Sequence, residues 1–308
     1  MSNLMLLDTA SLYFRAFFGV PDTVRAPDGT PVNAVRGLLD FISRLVEEYQ
    51  PTHLVCCWDN DWRPQWRVDL IPSYKAHRVE VEVPGGSDVE EVPDPLQAQI
   101  PVILEVLAAF GIAVVGADGY EADDVIGTLA TDAGMPVEIV TGDRDLFQLV
   151  DDSLGIRVLY TARGVGRHER VTEEVVREKY AVEAHQYADF ATLRGDSSDG
   201  LPGVAGVGDK TAATLLQRFG DVDGIRAAAR DESSDLAPGP RRKILDADAY
   251  LDVAPQVVAV ARDIDLDRSG LVLPRTPADP DALRRLAEQW NLTSPIGRLV
   301  NTITDAAG

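Results

Sequence analysis

The residues of this 308-residue chain best placed to do chemistry are carboxylates, and they come in short groups. Asp8, Asp59 and Asp143 each follow an apolar run: NLMLL, HLVCCW and VEIVTG. Gly119-Tyr120-Glu121-Ala122-Asp123-Asp124 opens a helical pattern, with Glu121 and Asp124 three apart and so on one face. Thr141-Gly142-Asp143-Arg144-Asp145 and Arg194-Gly195-Asp196-Ser197-Ser198-Asp199 complete the set. Two carboxylates 4 Å apart repel by about 4 kcal/mol at an effective dielectric near 20. Several such pairs would cancel a domain's whole stability of roughly 5–15 kcal/mol. Either the acids are scattered or cations hold them. All-oxygen donors select hard cations, Mg²⁺ or Mn²⁺. Two such ions suit phosphate chemistry, activating water and stabilising a leaving oxygen. A single acidic motif is more often a solvated face or a helix cap. The metal reading gains its weight from the whole set falling at strand ends and helix starts.

The elements that must position these acids can be read from hydrophobic pattern. Near-continuous apolar runs over 3–7, 53–58, 112–116, 137–142 and 156–160 predict strands covered on both faces. Helical patterns over 32–49 and 95–111 lie between them, so the fold class is α/β with a mostly parallel central sheet. In such sheets ligands bind at the carboxyl ends of strands, where Asp8, Asp59 and Asp143 stand. After about residue 172 the strand signal fades, and helices are expected over 173–180, 184–193, 209–219, 240–246 and 280–290. This divides the chain into an α/β core over 1–172 and a helical subdomain over 173–308. The acidic stretch 79–94 has no amphipathic period and reads as a mobile loop.

The net charge of −21 argues against a nucleic-acid partner unless the acids are local and functional, because DNA affinity rests on Lys and Arg. Cys56 and Cys57 are neighbours on a strand, point to opposite faces and make poor disulfide partners, which fits a reducing cytoplasm. No apolar run reaches the roughly 18 residues of a membrane span, and no basic region precedes the first apolar run as in a signal peptide.

With these groups in place, the chain resembles the bacterial 5′ nuclease (flap endonuclease) family, found standalone or as the N-terminal domain of DNA polymerase I. The resemblance runs almost end to end, through LLDTASLYFRAFFG (6–19), APDGTPVNAVRG (26–37), CCWDND (56–61), PSYKAHR (72–78), GYEADD, TGDRDLFQLV and LRGDSSDGLPGVAGVGDKTA. It implies a PIN-like nuclease core with an arch loop near 75–95. It places Asp8, Asp59, Glu121, Asp123 and Asp124 around one divalent cation and Asp143, Asp145, Asp196 and Asp199 around a second. Lys75 and Arg78 would contact the scissile phosphate, and Tyr74 would stack near the terminal bases. A helix-hairpin-helix-type element at 195–219 would meet the duplex backbone through Arg194, Gly203, Gly206, Gly208, Lys210 and Thr211. Its glycines let the backbone approach a phosphate, and the N–H groups opening helix 209–219 attract it. The family often holds K⁺ there, on backbone carbonyls and a hydroxyl. Arg218 and Arg241-Arg242-Lys243 are further candidate contacts.

The resemblance implies a two-metal 5′-3′ exonuclease and flap endonuclease, acting on 5′ flaps, nicks, recessed ends and RNA–DNA hybrids in replication and repair. A standalone monomer in the cytoplasm, associated with the nucleoid, is expected. The chain departs from the family at Gly200, where Asn is usual, and at Ala205, where Pro is usual. Its connector after Arg78 carries Glu80, Glu82, Asp88, Glu90 and Glu91, an arrangement expected to repel a 5′ strand. Two alternatives stand beside this reading. A non-catalytic DNA-structure binder would lack some of the acids. A PIN-like ribonuclease would lack the hairpin element.

Overall fold

The structure is a computed structural model that describes residues 2–81, 83 and 88–305. Strands β1 (Leu4–Asp8), β2 (His53–Trp58), β3 (Val79–Val81), β4 (Val89–Glu90), β5 (Ala113–Gly116), β6 (Val137–Thr141), β7 (Ile156–Tyr160) and β8 (Glu169–Val171) follow in chain order. Six of them form a sheet in the order β5-β2-β1-β6-β7-β8, parallel except for β8, which pairs antiparallel with β7. From β1 the chain first moves outward through β2 to β5, then returns to the other side of β1 for β6. That reversal opens a crevice at the carboxyl ends of β1 and β6, where α/β sheets take their ligands.

Alternation along the strands feeds two cores. Leu4, Leu6, Val55, Cys57, Val137 and Ile139 face one side, under the helix Ala122–Ala130. Met5, Leu7, Leu54, Cys56 and Val140 face the other, under the helix Asn33–Tyr49, whose Leu38, Leu39, Ile42 and Leu45 are fully buried. Each such side chain contributes about 2 kcal/mol when removed from water. Cys56 and Cys57 thus lie on opposite faces as free thiols, and burial pushes Cys56 up to about 12.

Two expectations need correction. The described part of the stretch 79–94, read as a mobile loop, holds regular structure: β3 and β4 pair antiparallel, and a helical turn starts at Asp94. The turn end of the β3–β4 pair is tied down, because Arg63 pairs with the Asp88 carboxylate and Trp62 Nε1 donates to the Asp88 carbonyl at 2.7 Å. Asp88 is therefore spent on the fold, not presented to a strand; Glu82 lies outside the described residues.

The helical region also does not run to the end of the chain as a separate subdomain. Leu54 N donates to Leu271 O and Leu273 N to Thr52 O, extending the sheet's hydrogen bonding. Helices Pro280–Gln289 and Thr293–Asp305 then pack on Ile100–Phe110 and Asn33–Tyr49 of the core. An amphipathic pattern shows that a helix buries one face; it does not say against what. The helices from Glu173 to Arg194 join the sheet through aromatic contacts in which Tyr180 and Tyr187, with Phe190 against both, pack around Phe147, itself against Tyr160 of β7.

Candidate active site

Asp8 ends β1 and caps the helix Thr9–Gly19. Its Oδ1 accepts from Ser11 N at 3.1 Å and its Oδ2 from Thr141 Oγ1 at 2.7 Å, so it is locked across β1 and β6. Asp59 follows β2 and accepts from Ala122 N at 2.8 Å, at the positive end of the helix Ala122–Ala130. Asp143 follows β6, with its N–H on Thr141 Oγ1 at 2.9 Å and its Oδ1 on Asp145 N at 2.9 Å. These three acids, with Glu121 and Asp123, line one cleft of about 240 Å³. Lys75 and Arg78 are the two basic side chains of its lining, which also includes Ser11, Phe14, Trp62 and Glu90.

The electrostatics of this cleft are unfavourable as it stands. Burial, followed by the neighbouring Asp59, pushes the Asp8 carboxyl up to about 7. Burial first, then Asp8 and Asp143, holds Asp123 well above the usual carboxylate range. Burial also raises Asp59. Asp145 is raised by burial and then by Asp143, Asp199 and Asp196, and its buried Oδ1 meets no hydrogen-bond donor among the described residues. Among the described residues no three acids are drawn close enough to hold an ion between them. The donor set nevertheless fits hard divalent cations: all-oxygen, anionic, held at strand ends, with one oxygen unsatisfied.

The remaining acids are placed differently from one another. Asp196 forms a tight turn, accepting from Ser198 N at 2.8 Å and from Ser198 Oγ. Asp199 Oδ1 accepts from Arg78 at 3.0 Å, and its carbonyl accepts from Lys75 N at 2.9 Å. This joins the basic motif to the loop at 196–201. The contact is close: a Cβ at Gly200, whose φ is +70°, would stand 2.1 Å from Ser73 O. Glycine at this departure from the family therefore has a local reason.

Asp124 differs most from expectation. It is fully buried, and both its oxygens are occupied: Arg67 donates two hydrogen bonds at 2.7 Å, Ala261 N one at 2.8 Å and Glu121 N one at 3.2 Å. No lone pair is left for an ion. Tyr74 is likewise not a free ring for base stacking. It is 4% exposed, and its hydroxyl donates to Glu121 Oε1 at 2.7 Å. Lys75, also buried, pairs with Glu121 Oε2.

In the hairpin element, Gly203 packs against the 194–195 backbone so closely that a Cβ would stand 2.5 Å away. Gly208 precedes the helix Asp209–Phe219, leaving Lys210 exposed on its first turn. Lys243 Nζ donates to Gly206 O at 2.7 Å, and Arg194 pairs with Asp196. Arg241 is spent on the carbonyls of residues 228, 229, 231, 234 and 236.

Sequence reasoning missed a second feature beside the cleft. Arg15, Arg44, Arg163 and Arg167 line a groove with Phe14, Phe18 and Phe41, and it shares Ser11 and Phe14 with the acidic cleft. None of the four pairs with a carboxylate among the described residues, and Arg15 Nε is buried without an acceptor. Their contributions come from three distant segments, so no local motif signalled them. Arg67 was missed as well.

Two family descriptions match consecutive parts of the chain. "5′-3′ exonuclease, N-terminal resolvase-like domain" covers residues 3–181 and "5′-3′ exonuclease, C-terminal SAM fold" covers 182–281. A 5′-3′ exonuclease of Streptomyces coelicolor is 62% identical over 300 residues, 97% of this chain and 100% of that protein. A 5′-3′ exonuclease of Mycobacterium tuberculosis is 51% identical over 316 residues, 100% of this chain and 99% of that one. Among solved structures, the T5 D15 flap endonuclease in complex with DNA and metal ions superposes with a TM-score of 0.64 over 99% of both chains. At 16% identity that likeness speaks for the fold alone.

Proposed function

The chain belongs to the 5′-3′ exonuclease family, and from that premise and the cleft's geometry we propose that it is a metal-dependent, structure-specific 5′ nuclease. It hydrolyses DNA phosphodiesters at 5′ flaps, nicks and recessed ends, and in RNA–DNA hybrids, serving replication and repair. The observation that carries this reading is the convergence of Asp8, Asp59, Glu121, Asp123 and Asp143 with Lys75 and Arg78 on one cleft at the sheet's point of reversal.

Asp8, Asp59, Glu121 and Asp123 would hold one cation, and Asp143, Asp145, Asp196 and Asp199 a second. When bound, Mg²⁺ or Mn²⁺ ions offset the crowded charge, activate water and stabilise the leaving 3′ oxygen. Lys75 and Arg78 take the scissile phosphate, exchanging their present carboxylate partners for phosphate oxygens and stabilising the charge that develops there. Products carry a 5′-phosphate and a 3′-hydroxyl. Lys210 and the N–H groups opening the helix Asp209–Phe219 hold the duplex backbone, and the arginine groove offers a second backbone contact. A K⁺ ion at 203–211 belongs to the proposal, with the Lys243 ammonium as its competitor for the Gly206 carbonyl. The full set of acids speaks against a non-catalytic binder, and the hairpin element against a PIN-like ribonuclease. No described helix is long and apolar enough to cross a membrane. A cytoplasmic, nucleoid-associated site of action is part of the proposal.

The test compares labelled 5′ flap, nicked, single-stranded and hybrid substrates with Mg²⁺ or Mn²⁺. Cleavage of the flap and nick is expected, with loss in Asp143→Ala. Undiminished flap cleavage by Asp143→Ala would sink the metal assignment.

A further inference from the structure

We propose that Arg67 and Asp124 form a positioning pair for Glu121, and that Asp124 itself ligates no ion. The inference rests on the reading of Glu121 as an ion ligand. Arg67 lies in the short helix Gln65–Leu70 and is 3% exposed. Its two terminal nitrogens grip both oxygens of Asp124 at 2.7 Å, and one of them also reaches Glu121 Oε1 at 3.3 Å. Its Nε donates to Val257 O at 3.1 Å, so all three nitrogens of the guanidinium donate. The plane lies over Trp66, 4.4 Å from the ring centroid, and Trp66 Nε1 donates to Gly119 O at 3.1 Å. One short helix thereby fixes Gly119 by its backbone and Glu121 by its side chain.

Glu121 is then held through Oε1 on the side away from the cleft. Oε1 receives Arg67 and the Tyr74 hydroxyl; Oε2 faces Lys75 and the cleft. Asp124 completes the hold by accepting Glu121 N and Ala261 N. Arg67 and Asp124 also bind the segment Val257–Ala261, within the C-terminal region, to the acids of the core. Planar bidentate geometry of this kind is specific to arginine; an ammonium is a point charge without the paired N–H fork. Groups that orient a metal ligand from behind typically alter ion affinity about tenfold or more when changed.

The test reads ion binding without DNA. Mn²⁺ is titrated into the full chain and followed by electron paramagnetic resonance, with thermal melts to check folding. Removing one member of a buried pair strands its partner, so the main variant neutralises both: Arg67→Gln with Asp124→Asn. It is expected to bind as many Mn²⁺ ions as the parent, one of them about tenfold more weakly. The Mn²⁺ concentration for half-maximal flap cleavage rises by the same factor, while the rate at saturating Mn²⁺ changes little. Arg67→Lys shows the same shift, and it carries the test if the neutral pair does not fold. Unchanged Mn²⁺ affinity in a folded variant overturns the positioning role. Loss of a whole ion, matching Asp123→Asn, overturns the exclusion of Asp124 from the ligands. Unchanged binding in Glu121→Gln defeats the reading of Glu121 as a ligand, independently of Arg67.

Discussion

The acidic cleft and the arginine groove share Ser11 and Phe14, yet their charges are met in opposite ways. In the cleft, six carboxylates face only Lys75 and Arg78, and burial raises Asp8, Asp59 and Asp123 above their ordinary values. In the groove, four arginines have no carboxylate partner among the described residues, in a chain with 50 acids and 29 bases. Both are short of opposite charge within the chain, and each lacks what its own proposed ligand would supply. In the proposed reading, cations would complete the first and a phosphate backbone the second. The net charge of −21 averages over this segregation and so misrepresents the surface that DNA would meet.

The sharpest way to break the contrast is Asp8→Asn. Cleavage should fall by roughly 10³-fold or more, because an ion supplies several kcal/mol of transition-state stabilisation. The ion-free protein should at the same time melt higher, since a buried, repelled charge is removed. A lower melting temperature would show that Asp8 serves the fold, through Ser11 and Thr141, more than the ion.

Next in size is the effect of pH on the ion-free protein. The folded state raises Asp8 from 3.8 to about 7, so it favours the proton more than the unfolded chain does. Stability is therefore lost as pH rises through that window, by about 4 kcal/mol at most for this one group. Mg²⁺ or Mn²⁺ should restore it, with a larger rise in melting temperature at pH 8 than at pH 5. Calorimetric scans at both values check the sign, and an equal rise at both would count against a strained carboxylate cluster.

The groove gives a smaller and separable effect. Reversing Arg163 and Arg167 to Glu should weaken flap binding about tenfold at low salt and flatten the salt dependence by roughly two or more phosphate contacts. Mn²⁺ binding by the same variant should stay as in the parent. If both readouts moved together, the two regions would be one site.

How much of this was legible follows from how local each signal is. Asp8, Asp59 and Asp143 could be found because an apolar run ending in an acid is contiguous in sequence and the parallel sheet aligns such ends. Asp123 and Asp124 were not separable. Consecutive residues on a helix point about 100° apart, so one can face the cleft while the other faces the interior, and sequence does not say which. Arg67 escaped notice because its meaning depends on Asp124, 57 positions later, and on the Val257 carbonyl. Charged residues are read by default as solvated, and only tertiary packing reveals a buried guanidinium. The groove's arginines escaped for the same reason, and so did the return of helices Pro280–Gln289 and Thr293–Asp305 to the core. The resemblance places Tyr74 by the terminal bases, but the ring is buried with its hydroxyl on Glu121, a partner 47 positions away that no local pattern shows.

The smallest expected effect concerns the hairpin element, which stands apart from both regions. Lys210 is exposed on the first turn of the helix Asp209–Phe219 and takes part in no ion pair among the described residues. The backbone N–H groups of that turn are fixed by the helix and remain in any side-chain variant, so they keep most of the phosphate attraction. Lys210→Ala should therefore cost only a few-fold in duplex affinity and reduce the salt slope by about one. Its turnover at saturating substrate should equal the parent's, because Lys210 lies outside the lining of the cleft. Fluorescence anisotropy across a salt series separates these quantities. A fall in turnover would mean that the hairpin element also aligns the strand in the cleft, through the 194–201 segment that joins it to Asp196, Asp199 and Lys75.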